Sequence, residues 1–378
     1  MRLALILAAA VVGATTTATA SAASPVSKTD RALDRALRGL VGTTDGPPGA
    51  IAVIQRGDRR RVHAAGIADL EAGTPPQGRA QMRIASVAKA FSAATALALV
   101  DQGVLNLEDT IGERLPELPA QWHSVTLRQL LGHTSGLPDF SKSPAFRAAV
   151  TASPTVAPPP RDLLAFVAEQ PLEFPPGSSY EYSNSDNIAA ALMIEAATGS
   201  RYESALHDKV LEPLGLHQTS MPQGTLLPNP FIHGYGPNPP GEPDDLSQFV
   251  AFGGWAWASG GILSTPGNLN GFVRGYLDGG LFGQDVRGEQ FALIDGASSE
   301  PRGPGQNAAG LGIFRYRTRC GTVFGHTGNT SGYTQLIAAN RRGRRSLTFT
   351  INIQATDEIL PELRKAQVRA VCAALARR

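Results

Sequence analysis

The stretch Ser86-Val87-Ala88-Lys89 runs directly into Ala90-Phe91-Ser92-Ala93-Ala94-Thr95-Ala96-Leu97-Ala98-Leu99-Val100. With almost no polar face before Asp101-Gln102 and the terminating Gly103, this segment predicts a buried central helix around which the rest of the chain packs. Of the five lysines (Lys28, Lys89, Lys142, Lys209 and Lys365), only Lys89 has a serine three positions before it. Residues three apart share a helix face, so the Ser86 hydroxyl and the Lys89 amine can meet without help from distant chain. An amine whose pKa is lowered can take a proton from serine, whereas a guanidinium stays charged. At a helix start, free N–H groups and the positive dipole end also favour negative charge developing on Ser86 and disfavour the lysine cation. Taken alone, the tetrapeptide is equally compatible with a chance serine on an alanine-rich helix.

The chain of 378 residues, 42% hydrophobic and 17% charged, is long enough to bury a full core. A net charge of +2 argues against a nucleic-acid partner. The basic runs Arg59-Arg60-Arg61 and Arg341-Arg342-Gly343-Arg344-Arg345 read as solvated hairpin turns. Met1-Arg2, the apolar run Leu3 to Val12, a Thr-rich spacer and Ala20-Ser21-Ala22 have the layout of a secretory signal peptide over 1–22, with the mature chain beginning near Ala23. The apolar run is short of the ~20 residues that span a bilayer, so no stable membrane anchor is expected and the protein is expected to be secreted. Export makes Cys320 and Cys372 candidates for a disulfide; two separately buried thiols are the alternative.

Strand patterns lie at both ends of the chain and helical patterns between them. Gly49 to Arg56 and Arg60 to Ala65, joined through Gly57-Asp58, predict a hairpin, and Leu311 to Arg319, Tyr333 to Asn340 and Ser346 to Asn352 predict further strands. Thr126 to Gly132, Asn187 to Thr198 and Pro361 to Ala376 predict helices. This order implies an α/β chain whose antiparallel sheet is built from both chain ends and flanked by helices, with a mainly helical domain inserted. The expected division is a hydrolase domain over 23–378, with the α/β part at about 30–86 and 300–378 and the inserted part at about 87–299. Ser153 to Pro160 and Met221 to Asp245 read as long surface loops, the second bordering a cleft.

Two further segments carry polar groups suited to a site. Pro175-Pro176-Gly177-Ser178-Ser179-Tyr180-Glu181-Tyr182-Ser183-Asn184 places Tyr182 and Asn184 on a loop running into a helix, and Gly325-His326-Thr327-Gly328 follows the short strand Thr322 to Phe324. Glycines there suit a close backbone approach to substrate. No Gly-x-Ser-x-Gly elbow occurs, and the seven histidines show no His-Glu-x-x-His spacing, so neither an α/β-hydrolase triad nor a metal site is expected. His133 follows a helix end and reads as a turn former. Trp255 reads equally as a cleft or a core residue.

In order and spacing, Ser86-x-x-Lys89, Tyr182-x-Asn184 and His326-Thr327-Gly328 resemble the three motifs of the penicillin-recognising serine hydrolases. Arg83-Ile84-Ala85-Ser86, Leu130 to Leu137, Phe174-Pro175-Pro176-Gly177 and Gly260 to Thr265 are similar to the branch of secreted D-alanyl-D-alanine carboxypeptidases and class C β-lactamases. The resemblance implies the β-lactamase/transpeptidase fold and no cofactor. It implies Ser86 as the acylated nucleophile, Lys89 as its proton partner and Tyr182 as the relay to the leaving group. Asn184 would bond the substrate amide, the N–H groups of Ser86 and Asn329 would form the oxyanion hole, and His326, Thr327, Gly328 and Trp255 would border the substrate. For Tyr182 to act as a base near neutrality, Lys89 and a partly protonated His326 would have to lower its pKa.

The implied substrate is a D-alanyl peptide, an ester or a β-lactam, and the leading activity is that of a D-Ala-D-Ala carboxypeptidase. An esterase, D-amino-acid amidase or β-lactamase of the same fold is the alternative, and an inactive penicillin- or peptidoglycan-binding protein is a third. Histidine at 326, where class C β-lactamases usually carry lysine, favours the carboxypeptidase-like or esterase-like branch over a true β-lactamase. The carboxypeptidase branch is expected to hold the substrate carboxylate with an arginine on the strand before the third motif. Here Arg315, Arg317 and Arg319 alternate, while Phe314 stands at the aligned position, so a shift of one residue decides what faces the cleft.

Overall fold

The computed structural model describes residues 27–222, 224, 226–236, 244–247 and 252–377. The expected leader at 1–22 and part of the Met221 to Asp245 loop lie outside the described residues. The strands among the described residues are β1 (Gly49–Arg56), β2 (Arg59–Gly66), β3 (Met82–Arg83), β4 (Leu263–Ser264), β5 (Ile294–Asp295), β6 (Gln306–Gly310), β7 (Ile313–Thr318), β8 (Gly321–Thr330), β9 (Tyr333–Ala339) and β10 (Arg345–Ile351). Eight of them form one antiparallel sheet in the order β2-β1-β10-β9-β8-β7-β6-β5, and β3 pairs with β4 apart from it. The sheet thus joins both chain ends, with β1 pairing β10. β8 is longer than the stretch Thr322 to Phe324 suggests, because its glycine-rich end continues the ladder with β9, Gly328 opposite Gln335 and Asn329 opposite Thr334.

Alternate residues of the central strands feed two separate cores. Ala50, Ala52, Ile54, Leu336, Ala338, Leu347 and Phe349 face the terminal helices Lys28–Val41 and Leu360–Leu375. Ile51, Ile337 and Ala339 face the other core, which holds the helical middle of the chain and helix Pro266–Asp278. This is the period of two expected when a sheet is covered on both faces. The N-terminal helix is an element the sequence reading passed over, although Leu33, Leu37 and Leu40 share a face and Ser27 caps it by accepting a hydrogen bond from the Asp30 N–H.

The central helix forms as Ala88–Asp101, with every residue from Ala88 to Leu99 buried. Phe91, Leu97 and Leu99 are at most 1% exposed, and each such side chain contributes roughly 1.5–3 kcal/mol by leaving water. Cys320, after β7, and Cys372, on the last helix, are joined as a disulfide that ties the helix to the sheet.

Candidate active site

Ser86 lies in a single tight turn, Ala85–Val87, that leads into the central helix. Ala85 takes a left-handed φ of 49°, which costs of order 1 kcal/mol for a residue with a Cβ and sets the entry to the helix. One turn on, Lys89 is 1% exposed. Its Nζ donates to Ser86 Oγ at 3.2 Å, to Asn184 Oδ1 at 2.7 Å and to the Ser259 carbonyl at 2.7 Å. Burial pulls the amine down to about 7, against the opposing charges of Asp139, Glu300 and Asp186. A lysine poised near neutrality can hold or release a proton at little cost.

Asn184 is the first residue of helix Asn184–Thr198. Its amide nitrogen donates to Asp139 Oδ2 and Ser141 Oγ, both at 2.9 Å, which fixes its oxygen on Lys89 and occupies the donors assigned to a substrate amide. Tyr182 is 4% exposed, and its ring centre lies 5.2 Å from Lys89 Nζ. Burial drives the phenol well above its ordinary value; the Ser86 hydroxyl opposes the rise and the charges of Glu300 and Asp139 add to it.

The expectation of a partly protonated His326 is therefore corrected. His326 is fully buried, and the loss of hydration lowers its pKa to about 3, so it is neutral and supplies no cation to Tyr182. Its ring stands edge-on to Phe314 at 5.0 Å and 6.4 Å from the Tyr182 ring.

The cleft above these groups has a volume of about 890 Å³ and is lined by Ser86, Tyr182, Asn184, Trp255, Glu300 and Asn329 among others. His326, Thr327 and Gly328 are not in its wall. Thr327 Oγ1 instead donates to the Pro301 carbonyl at 2.7 Å and lies 2.6 Å from Ser299 Oγ. At Gly328 a Cβ would stand 2.5 Å from the Ile84 carbonyl oxygen and 3.2 Å from the Val87 nitrogen, so the glycine lets β8 approach the turn that carries Ser86. Next along, the Asn329 side chain accepts from the Ala355 N–H at 2.9 Å and from Thr334 Oγ1 at 2.7 Å, which holds its backbone beside that turn.

Trp255 satisfies both readings: it is 5% exposed, donates to the Ser153 carbonyl at 3.1 Å, packs on Phe146 and borders the cleft. None of Arg315, Arg317 and Arg319 lines the cleft; Arg315 pairs with Asp295 at 2.5 Å, and Phe314 lies 6.4 Å from the Tyr182 ring. His133 takes the left-handed cap of helix Leu127–Gly132, as expected of a turn former. It also packs on Tyr182 at 4.5 Å, and its Nδ1 lies 2.7 Å from a buried Asp186 oxygen. Asp139, Asp186, Ser259 and Glu300 carry no local signal that would have placed them here.

Residues 33–371 match the family described as Beta-lactamase. The chain belongs to that family. Within the beta-lactamase family it is similar to penicillin-binding protein 4* of Bacillus subtilis (strain 168), 25% identical over 334 residues, 84% of this chain and 71% of that protein. It is 28% identical over 243 residues to a D-aminopeptidase of Cereibacter sphaeroides, covering 62% of this chain and 43% of that protein, so it spans less than half of that relative's length. Among solved structures, a D-stereospecific amidohydrolase from Streptomyces sp. superposes with a TM-score of 0.75 at 28% identity, over 87% of this chain and 97% of that one. The fold and the membership in a serine hydrolase family agree with the resemblance read from the sequence.

Proposed function

We propose that the protein is an acyl-transfer hydrolase that acts on small D-aminoacyl amides and esters. The observation that carries this reading is the Lys89 Nζ at 3.2 Å from Ser86 Oγ, with the amine brought to about 7 by burial. Neutral Lys89 takes the Ser86 proton as Oγ attacks the substrate carbonyl. The N–H groups of Ser86 and Asn329 face the developing oxyanion. The C–N or C–O bond then breaks, and the leaving group takes its proton through Tyr182, which acts as a neutral hydroxyl between donor and acceptor rather than as a standing phenolate. Water hydrolyses the Ser86 ester by the reverse path.

The D-Ala-D-Ala carboxypeptidase reading is the less favoured, because a free terminal carboxylate needs a cation, and the three arginines of the β7 segment lie outside the cleft while Phe314 fills the aligned place. An amidase or esterase needs none. Secretion after removal of a leader is part of the proposal, and no helix among the described residues is long and apolar enough to cross a membrane.

Turnover of D-phenylalanine amide, a D-Ala-D-Ala peptide, a chromogenic cephalosporin and a short-chain aryl ester, measured in parallel, tests this. The amide and ester are expected to exceed the peptide by tenfold or more in kcat/KM. A peptide preference that requires one of Arg315, Arg317 or Arg319 overturns the assignment.

A further inference from the structure

Thr327 identifies a second working part of the site by what it holds. Its hydroxyl fastens Ser299 and Pro301, Tyr180 Oη donates to the Ser298 carbonyl at 2.7 Å, and Ser299 Oγ lies 3.4 Å from Tyr316 Oη. The segment 298–301 is thereby pinned to β7, β8 and the Tyr182 loop, and it presents Glu300 and Pro301 to the cleft. A segment tied by these hydroxyl bonds holds the Glu300 backbone in a fixed place beside the cleft.

Among the described residues the Glu300 carboxylate makes no hydrogen bond or ion pair, although it lines the same cleft as Ser86. Lys142, the exposed cation whose charge it feels, is itself engaged with Glu181 at 3.2 Å. Glu300 is also close enough for its charge to act on both Lys89 and Tyr182. The same cleft wall carries Ser86 and Tyr182, and the Ser86 hydroxyl interacts with the buried Tyr182 phenol. The α-nitrogen of an aminoacyl substrate is only two bonds from the carbonyl carbon that Ser86 attacks. A carboxylate that lines this cleft and whose charge reaches both Lys89 and Tyr182 is placed to meet that α-ammonium.

We propose that Glu300 is a specificity-determining residue that receives the α-ammonium of the substrate, so that acyl donors with a free amino end are selected over N-capped ones. This rests on the acyl-enzyme reading above and names its substrate class more closely. An incoming cation also relieves like-charge crowding of Glu300 with Asp139 and Glu181. Asp357 in the same wall adds to the negative field, and Arg147, whose Nη2 donates to the Lys142 carbonyl, is the exposed cation of the lining.

The test compares kcat/KM for D-phenylalanine methyl ester and N-acetyl-D-phenylalanine methyl ester in the wild type, Glu300→Gln and Glu300→Lys, with thermal unfolding as the check on folding. The wild type is expected to favour the free amine by tenfold or more, Glu300→Gln to lower that ratio at least tenfold, and Glu300→Lys to invert it. An unchanged ratio in a folded Glu300→Gln overturns the inference. So does a wild type that acylates Ser86 with both esters equally, and in that case the acyl-enzyme reading stands. If neither ester acylates Ser86, both readings are overturned.

Discussion

Lys89 Nζ and Asn184 Oδ1 are 2.7 Å apart, and the Asn184 amide is held in turn by Asp139, so the lysine is steered from a second helix and not only by its own. The amine keeps two fixed acceptors whatever its protonation state, and its remaining direction is toward Ser86 Oγ at 3.2 Å. Proton exchange with the serine is the chemistry this arrangement leaves open.

Lys89→Arg is expected to lose 10²-fold or more in kcat/KM, nearly as much as Lys89→Ala, because a permanent cation accepts no proton. In the wild type, kcat/KM is expected to fall as pH drops below about 7, where Lys89 gains its proton, and to recover above it. Steady-state rates across pH check both. Retention of most activity by Lys89→Arg would reduce Lys89 to an electrostatic role.

Ser86 and Lys89, and Tyr182 and Asn184, were legible as neighbours because each pair sits within one helix turn or one short loop, and their proposed roles rest on the joint order and spacing of the motifs. The antiparallel sheet built from both chain ends was legible from the strand patterns there, whereas its division of the interior into two cores was not read from them. What the sequence withheld is contact across long separations: Asp139 meets Asn184 across 45 positions, and Thr327 meets Ser299 across 28. Strand parity hid the rest. His326 lies in the stretch Val323 to Gly328 of β8 that is buried on both parities, where burial is the largest cause of its lowered pKa, and Arg315 and Arg317 lie on the opposite parity of β7 from Phe314 and Tyr316, both of which are buried.

Acid stability tests the neutral histidines. His326 and His133 both fall to about 3 in the folded protein, below the ordinary value of 6.5. Between those limits the unfolded chain binds protons that the native state refuses. Stability is thus full above about pH 6.5 and declines toward pH 3, by on the order of 1 kcal/mol per pH unit for each histidine. Chemical denaturation of the wild type and His326→Phe across this range is expected to show a shallower decline in the variant. Identical slopes would place the lost stability elsewhere.

Gly328→Ala is expected to lower the rate of acylation, because its Cβ would stand 2.5 Å from the Ile84 carbonyl oxygen and must push β8 away from the Ser86 turn. Single-turnover kinetics should show a loss of tenfold or more. A normal acylation rate would mean that this approach does not set the oxyanion geometry.

The disulfide closes a separation of 52 residues, for which chain entropy gives a stabilisation of roughly 4 kcal/mol. The Cys320→Ser, Cys372→Ser double variant should unfold at clearly lower denaturant concentration than the wild type purified under oxidising conditions. Free thiols on alkylation of that denatured, non-reduced wild type would remove the bond from the account.

The most direct measurement of the central claim is peptide mass analysis after reaction with a fluorescent penicillin, whose strained amide should leave a trapped acyl-enzyme. A single adduct on the peptide containing Ser86, absent from a folded Ser86→Ala variant, is the predicted result. Unchanged labelling of Ser86→Ala, or an adduct on a peptide that lacks Ser86, would contradict it.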